Sequence, residues 1–427
     1  MQLLYDSALR TLVLHSVDKV YPGPYTYKRF WYRDATFIVY ALLCTGLSQR
    51  AEKALDYFPT QQTYSGYFHS QEGEWDSNGQ ALWIFSQFSQ FTHEKTKPAW
   101  QSSIDQGVRW LIKKRLPDLP ESPHSGLLPA GFSAEHLGPN DYYYWDDFWS
   151  LAGLQAIYKG VKDQAKAVKS DLRLEIEHTQ SAIEKSLTAA SQRLGLDALP
   201  ASPYRRLDSG AIGSLVASYP LQLCEPQDLR LMNTVEFLLK NCCFQGCFFQ
   251  DMIHSGINPY LTLHIAQVLL RAGDSRFFTL MTTVADLASS TGQWPEAIHP
   301  HTGGGCMGDG QHAWAAAEWL VMMRNCFVRE EDDHLILASG ITAVWWQTGQ
   351  CLSFGVAPTQ FGSVSVSIQY KEQYEKSTQQ VNKYIVVSWQ GDWHDQAPRI
   401  SVNLPGFTSV IADAKQTQII INAETFL

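Results

Sequence analysis

The sequence predicts a mainly α fold: two concentric rings of six helices, an (α/α)6 barrel, with a small C-terminal antiparallel β appendage. Three observations predict it. Apolar residues recur at helical spacing in about twelve segments between residues 1 and 326. Conspicuous polar and aromatic clusters open every second one of those segments. From about residue 333 the chain changes to short runs rich in Val, Ile, Thr and aromatics, several alternating at period two.

The helical segments lie near 3–17, 31–47, 48–60, 77–93, 99–115, 146–160, 163–193, 208–219, 226–241, 257–272, 274–290 and 310–325. Gly46, Pro117, Gly160, Pro220 and Gly273 fall at or near their ends, where chain breakers belong. In the first segment Asp6 and Arg10 interrupt the apolar residues, so it reads as an ordinary helix rather than an export signal. Residues 118–144 are too rich in Pro and Gly for a helix and too long for an idle connection, which predicts a loop that shapes an entrance. The β-type runs begin after the charged stretch Arg329-Glu330-Glu331-Asp332-Asp333, which reads as a hinge. This divides the chain into a helical domain, 1–328, and a β-rich region, 333–427.

Composition excludes several classes. The 427 residues carry 33 Lys and Arg against 42 Asp and Glu, a net charge of −9, whereas a duplex nucleic-acid binder needs a basic face. No apolar run approaches the ~20 residues that cross a bilayer. The 8 cysteines form no secreted-type framework. Cys242, Cys243 and Cys247 cluster without the second pair a zinc finger needs, so free thiols in a reducing cytoplasm are expected. Aromatic residues make up 12% of the chain, which suits a rich core or a stacking surface for flat ligands such as sugar rings.

The clusters carry the chemistry. They are Trp31-Tyr32-Arg33-Asp34, Glu74 to Gln80, Tyr142 to Trp149, Leu207 to Gly210, His254 to Tyr260, and Gly308 to His312. They open the second, fourth, sixth, eighth, tenth and twelfth helices. N-capping explains one Asp, Ser or Asn at each start but not the Trp, Tyr, Arg and His beside it. If alternate helices form an inner ring, all six starts converge on one cavity.

Asp146 and Asp147 are adjacent on a helix, so they point ~100° apart. One can enter the cavity while the other braces. An Asp among Tyr144, Trp145, Phe148 and Trp149 would have its charged form disfavoured by desolvation, as a general acid requires. Glu296, on a loop between Pro295 and Ala297, is the candidate base, with a loop brace as the alternative. Two carboxyls ~6.5–9.5 Å apart with a water between them hydrolyse a glycosidic bond with inversion. Arg33 and Asp34 would grip hydroxyls as donor and acceptor, or else form only a local pair at a helix start. His299 and His312 read as polar lining, since no HExxH spacing supports a metal. The Gly303–Gly310 run lacks the Lys and Ser/Thr of a phosphate loop.

At these residues the sequence resembles the glucoamylase-like inverting glycosidases and their (α/α)6 relatives. Tyr32-Arg33-Asp34-Ala35 is similar to the opening of the family's second helix, which holds the terminal sugar. Trp145-Asp146-Asp147-Phe148 resembles the Trp-acid-acid turn whose first acid is the general acid. Trp294-Pro295-Glu296 resembles the loop that supplies the general base, and Gly310 to Glu318 resembles the inner helix that follows. The family's acid is usually Glu, one methylene longer than Asp146, and many relatives carry an N-terminal rather than a C-terminal β unit.

The resulting expectation is a cofactor-independent glycoside hydrolase acting on an α-glucoside or related oligosaccharide, with no nucleic-acid or membrane partner. Asp146 and Glu296 are its catalytic pair. Trp31, Arg33, Asp34, Asp76, Asn78, Trp145, Asp147, Asp208, Asn258, Trp294, His299 and His312 are expected to bind substrate. Three rivals stand beside it: a sugar epimerase working through His254 or His312, a terpene-cyclase-like protein binding Mg²⁺ through Asp146-Asp147, and a non-catalytic carbohydrate-binding barrel.

Overall fold

The computed structural model describes residues 1–119, 121–133, 139–160, 166–251, 256–346, 351–375, 380–413 and 415–423. The chain is mainly helical with small sheets. Its helices are α1 (Gln2–His15), α2 (Tyr32–Cys44), α3 (Ser48–Tyr57), α4 (Asp76–Thr92), α5 (Pro98–Lys114), α6 (Tyr144–Gly160), α7 (Lys166–Leu194), α8 (Leu229–Asn241), α9 (Pro259–Ala272), α10 (Arg276–Asp286), α11 (Ala313–Phe327) and the short α12 (Ala343–Trp346). The segment expected as a helix at 208–219 is a 3-10 helix, Ser209–Ala217, whose sequence SGAIGSLVA is rich in small residues with weak α propensity.

Two kinds of helix alternate along the chain. α2, α4, α6, the 3-10 helix, α9 and α11 each pack on the next, and α11 returns to α2. α3, α5, α7, α8, α10 and α1 back them in turn. The sequence separates the two sets. Every residue of α11 from Ala313 to Phe327 is buried, as in a helix surrounded by others. α5 buries only Trp100, Ser103, Ile104, Gly107 and Leu111, one stripe at helical spacing. α4 and α6 touch through backbone: a Cβ on Gly79 would lie 2.2 Å from the Trp149 carbonyl.

A sheet the sequence did not announce joins the loops at one end. Its strands β1 (Cys243–Phe244), β2 (Cys247–Gln250), β3 (Gly256–Ile257), β4 (Ala297–Ile298) and β5 (Gly305–Met307) are antiparallel in chain order. Pairing of Ile257 with Ile298 brings the start of α9 beside the loop that carries Glu296.

The C-terminal region holds two four-stranded sheets. β8 (Leu352–Thr359), β9 (Gly362–Glu375), β10 (Gln380–Trp393) and β13 (Gln418–Asn422) form one, ordered β13-β10-β9-β8. β6 (Val328–Glu331), β7 (His334–Leu337), β11 (Arg399–Val402) and β12 (Val410–Ile411) form the other, ordered β12-β11-β7-β6. β7 and β11 run parallel, so the appendage is not wholly antiparallel.

Residues 329–333, expected as a hinge, are strand β6 and its turn into β7. The charges of Arg329, Glu330 and Glu331 are paired rather than solvated, whereas Asp332 and Asp333 sit exposed in the turn. Arg324 on α11 donates to Glu330 at 2.6 and 2.5 Å, and Arg271 on α9 meets Glu331 at 2.6 Å. The sheet is thus bolted to the C-terminal ends of the central helices. Among the described residues no helix is long and apolar enough to cross a membrane, and all eight cysteines are free.

Candidate active site

At the opposite end, the N-termini of α2, α9 and α11 surround a cavity of about 280 Å³. That lies at the lower edge of ordinary ligand pockets, which run to roughly 300–1,000 Å³. Trp31, Arg33 and Asp34 reach it from the start of α2, Glu74 from the loop before α4, Asn258 from the start of α9, and Glu296 and His312 from the segments before α11.

Glu296 owes its place to its neighbours. Two residues earlier, Trp294 is buried against Trp319 and donates its indole N–H to the Val284 carbonyl at 2.8 Å. The Trp294 carbonyl accepts the His312 N–H at 2.8 Å, fixing the start of α11 to the same loop. The Glu296 carbonyl accepts from the Asn258 amide at 3.3 Å. The Glu296 carboxylate accepts the Tyr27 hydroxyl at 2.5 Å. Tyr27 and Trp31 meet edge to face at 5.8 Å, and Tyr260 lies 4.6 Å from Trp314, so the walls are aromatic.

The other side is ionic. Arg33 Nη1 is 3.5 Å from Glu74 and 3.6 Å from Asp76. Asp76 also accepts the Trp145 indole N–H at 2.8 Å and the Gln80 amide at 2.9 Å. Behind them Asp146 is 1% exposed, and among the described residues neither of its carboxyl oxygens has a hydrogen-bond partner. Burial pushes its carboxyl well above the usual range, and the charges of Asp76, Asp147 and Glu74 add to that against the pull of Arg33. Three carboxyls share one guanidinium here, which favours the protonated form of Asp146.

Asp147 points the other way, as the ~100° step between adjacent helical residues demands. It accepts the Leu128 N–H at 2.9 Å. Burial raises it to about 7, opposed by that N–H and by Arg115.

His312 is pushed down to about 3, chiefly by burial, and is therefore neutral. Its Nε2, 3.9 Å from Asp34, makes a polar contact there rather than an ion pair. Among the described residues no group of three or more His, Cys, Asp or Glu could hold a metal ion.

Of the residues the sequence singled out, Trp31, Arg33, Asp34, Asn258, Glu296 and His312 line the cavity, and Asp76, Trp145 and Asp146 lie behind its ionic side. Five serve elsewhere. Asn78 accepts the Phe68 N–H and donates to the carbonyls of Gly66 and Gly107, which saturates its amide. Asp147 braces the Leu128 loop, and Trp294 is a core anchor. Asp208 caps Gly210 and pairs with Arg205 at 2.8 Å. His299 accepts the backbone N–H groups of His301 and Thr302 in the turn between β4 and β5. His254 lies outside the described residues. The sequence reading missed Tyr27, Glu74, Tyr260 and Trp314 as lining. Glu74 and Tyr260 belonged to clusters already marked, whereas nothing local distinguishes Tyr27.

No family model matches the sequence, and no curated protein matches it. Solved structures do match the fold. A wild-type structure described as a glycosidase aligns with a TM-score of 0.58 at 15% identity, over 75% of this chain and 96% of that one. The glucoamylase of Hypocrea jecorina aligns at 0.54 and 11% identity over 95% of both chains. The glucoamylase of Saccharomycopsis fibuligera aligns at 0.53 and 12%, over 75% of this chain and 94% of the other. The chain shares the overall fold of these solved structures. At these identities the likeness is one of architecture, and the chemistry rests on the cavity.

Proposed function

We propose that this chain is a glycoside hydrolase that inverts configuration at an α-glucoside or related oligosaccharide. The alternating helix sets form an (α/α)6 barrel over 1–328, and 333–427 serves as a structural region at its far end. The observation that carries the reading is the pairing, around one aromatic cavity, of the half-buried carboxylate of Glu296 with a buried acid cluster under Arg33 in which the Asp146 carboxyl is pushed up.

In this reading a sugar ring stacks on the aromatic wall while Arg33 and Asp34 hold its hydroxyls. Asp146 gives its proton to the leaving oxygen as the bond from that oxygen to the anomeric carbon breaks. A water bonds to the opposite face of the same carbon and loses its proton to Glu296. Tyr27 donates its hydroxyl to one oxygen of Glu296 and so favours its charged, proton-accepting form. The chemistry calls for no cofactor.

One observation favours a second assignment of the acid. Glu74 lines the cavity, whereas Asp146 lies behind it. Release of reducing sugar from a panel of α- and β-glycosides tests the activity, and the Asp146→Asn and Glu74→Gln variants separate the two acids. The general acid loses about 10²-fold or more in kcat. No release from any glycoside, with retained affinity for glycans, would instead favour a binding barrel. Activity that survives Glu296→Gln but not loss of His312 would favour an epimerase.

A further inference from the structure

The strap Pro22–Tyr27, just ahead of α2, is held by one side chain 282 residues or more further along the sequence. The Asp309 carboxylate accepts three successive backbone N–H groups: Tyr25 at 3.1 Å and Tyr27 at 3.0 Å on Oδ2, and Thr26 at 2.8 Å on Oδ1. Those bonds hold its carboxyl below the usual range despite partial burial. The fit is close, since a Cβ on Gly23 would lie 2.2 Å from Asp309 Oδ2. Next to Asp309, Gly308 at φ +67° leaves room for the Tyr27 ring, 2.8 Å from where its Cβ would be, and for Glu296 at 3.3 Å. The strap's last residue is the one whose hydroxyl meets the Glu296 carboxylate.

The geometry points to Asp309 as a positioning residue for Glu296, acting through Tyr27. It rests on the reading of Glu296 as the base. Asp309 sets the strap, the strap sets the Tyr27 hydroxyl, and that hydroxyl stabilises the charged form of Glu296 and fixes which of its oxygens faces the cavity.

The sign of the effect separates this role from plain electrostatics. Removing the negative charge of Asp309 would by itself ease the ionisation of a nearby carboxyl and lower its pKa. Removing the hydroxyl donor raises it. Two described groups beside this pair leave the sign intact. Cys306, which senses the Glu296 charge, has a thiol raised by burial, and His312, which senses Asp309, is neutral down to about 3.

The test is the titration of Glu296 by ¹³C NMR in glutamate-labelled protein, with Glu296→Gln assigning the resonance. Tyr27→Phe and Asp309→Ala each raise the Glu296 pKa, by about one unit, which is tenfold less carboxylate at low pH. Gly23→Ala, which keeps every charge and displaces the Asp309 carboxylate, gives a rise of the same sign should Asp309→Ala fail to fold. In a Tyr27→Phe background, Asp309→Ala produces no further rise. A downward or absent shift in Asp309→Ala and in Gly23→Ala, with a rise in Tyr27→Phe, would overturn the inference. Additive rises in the double variant would do the same. In turnover, the limb of the pH profile that reports the base moves upward with the titration. Full activity in Glu296→Gln would defeat the reading of Glu296 as base, while the titration would still decide the link to Asp309.

Discussion

Trp145 and Asp76, the second and first residues of helices α6 and α4, are joined by an indole N–H donated to a carboxylate at 2.8 Å. That bond can form only because the two helices touch. Gly79 and Gly153 face each other there, with a Cβ on Gly153 falling 2.6 Å from the Gly79 carbonyl oxygen. Close packing in the helical layer thus sets the geometry of the ionic side of the cavity, one turn away.

Gly79→Ala tests that coupling. Its Cβ would collide with the Trp149 backbone, which cannot rotate aside, so the helices must part. A loss of about 3 kcal/mol or more is expected in urea denaturation, at or beyond the usual cost of overpacking. An Ala tolerated without loss would mean that the two helices are not in backbone contact.

Asp146 trades stability for readiness. Its folded-state pKa is raised, so its contribution to stability is fully present below the unfolded value near 3.9 and is lost as pH rises through the folded one. Asp146→Asn keeps the shape without the proton. Between pH 5 and 8 the wild type should lose stability with rising pH relative to Asp146→Asn, measured by denaturation at each pH.

His312 works in the opposite direction. Its pKa falls from 6.5 to about 3 on folding, so between these values the unfolded chain binds one more proton than the native one. Stability should therefore rise with pH across that window by up to about 1.4 kcal/mol per unit, and His312→Asn should flatten the slope by that amount. An unchanged slope would mean that the imidazole is hydrated and titrates normally.

Glu330→Gln strips the charge partner from Arg324, which is fully buried at the far end of the domain. Breaking such a pair costs about 3–5 kcal/mol. Turnover by the folded variant should be unaffected, because the cavity lies at the opposite ends of the same helices. A loss in kcat at temperatures where the variant is folded would show that the two ends communicate.

The clusters were legible because they depart from what a helix start needs. One Asp caps a helix, whereas Arg33 beside Asp34, or Trp145 beside Asp146 and Asp147, exceeds capping, and those residues do gather at or behind one cavity. The separation of Asp146 from Asp147 followed from helix geometry alone. Asn78 and Asp208 shared the same local signature yet satisfy backbone groups, since a polar residue at a helix start looks alike in either duty. Tyr27 could not be read because its role depends on Asp309, 282 residues away. The acidic stretch at 329–333 misled for a related reason: its partners Arg271 and Arg324 sit on helices, and without them the charges read as solvated. The short β1–β5 sheet depends on pairing between distant two- and three-residue strands, which leaves no periodicity to detect.

The central claim is single displacement at this cavity with Glu296 taking the proton from water. ¹H NMR of the first-formed sugar, recorded before mutarotation with whichever glycoside the wild type cleaves, tests it most directly. The account predicts the anomer opposite to that of the substrate, and its loss by about 10²-fold or more in Glu296→Gln. Retained configuration, or undiminished turnover in Glu296→Gln, would contradict it.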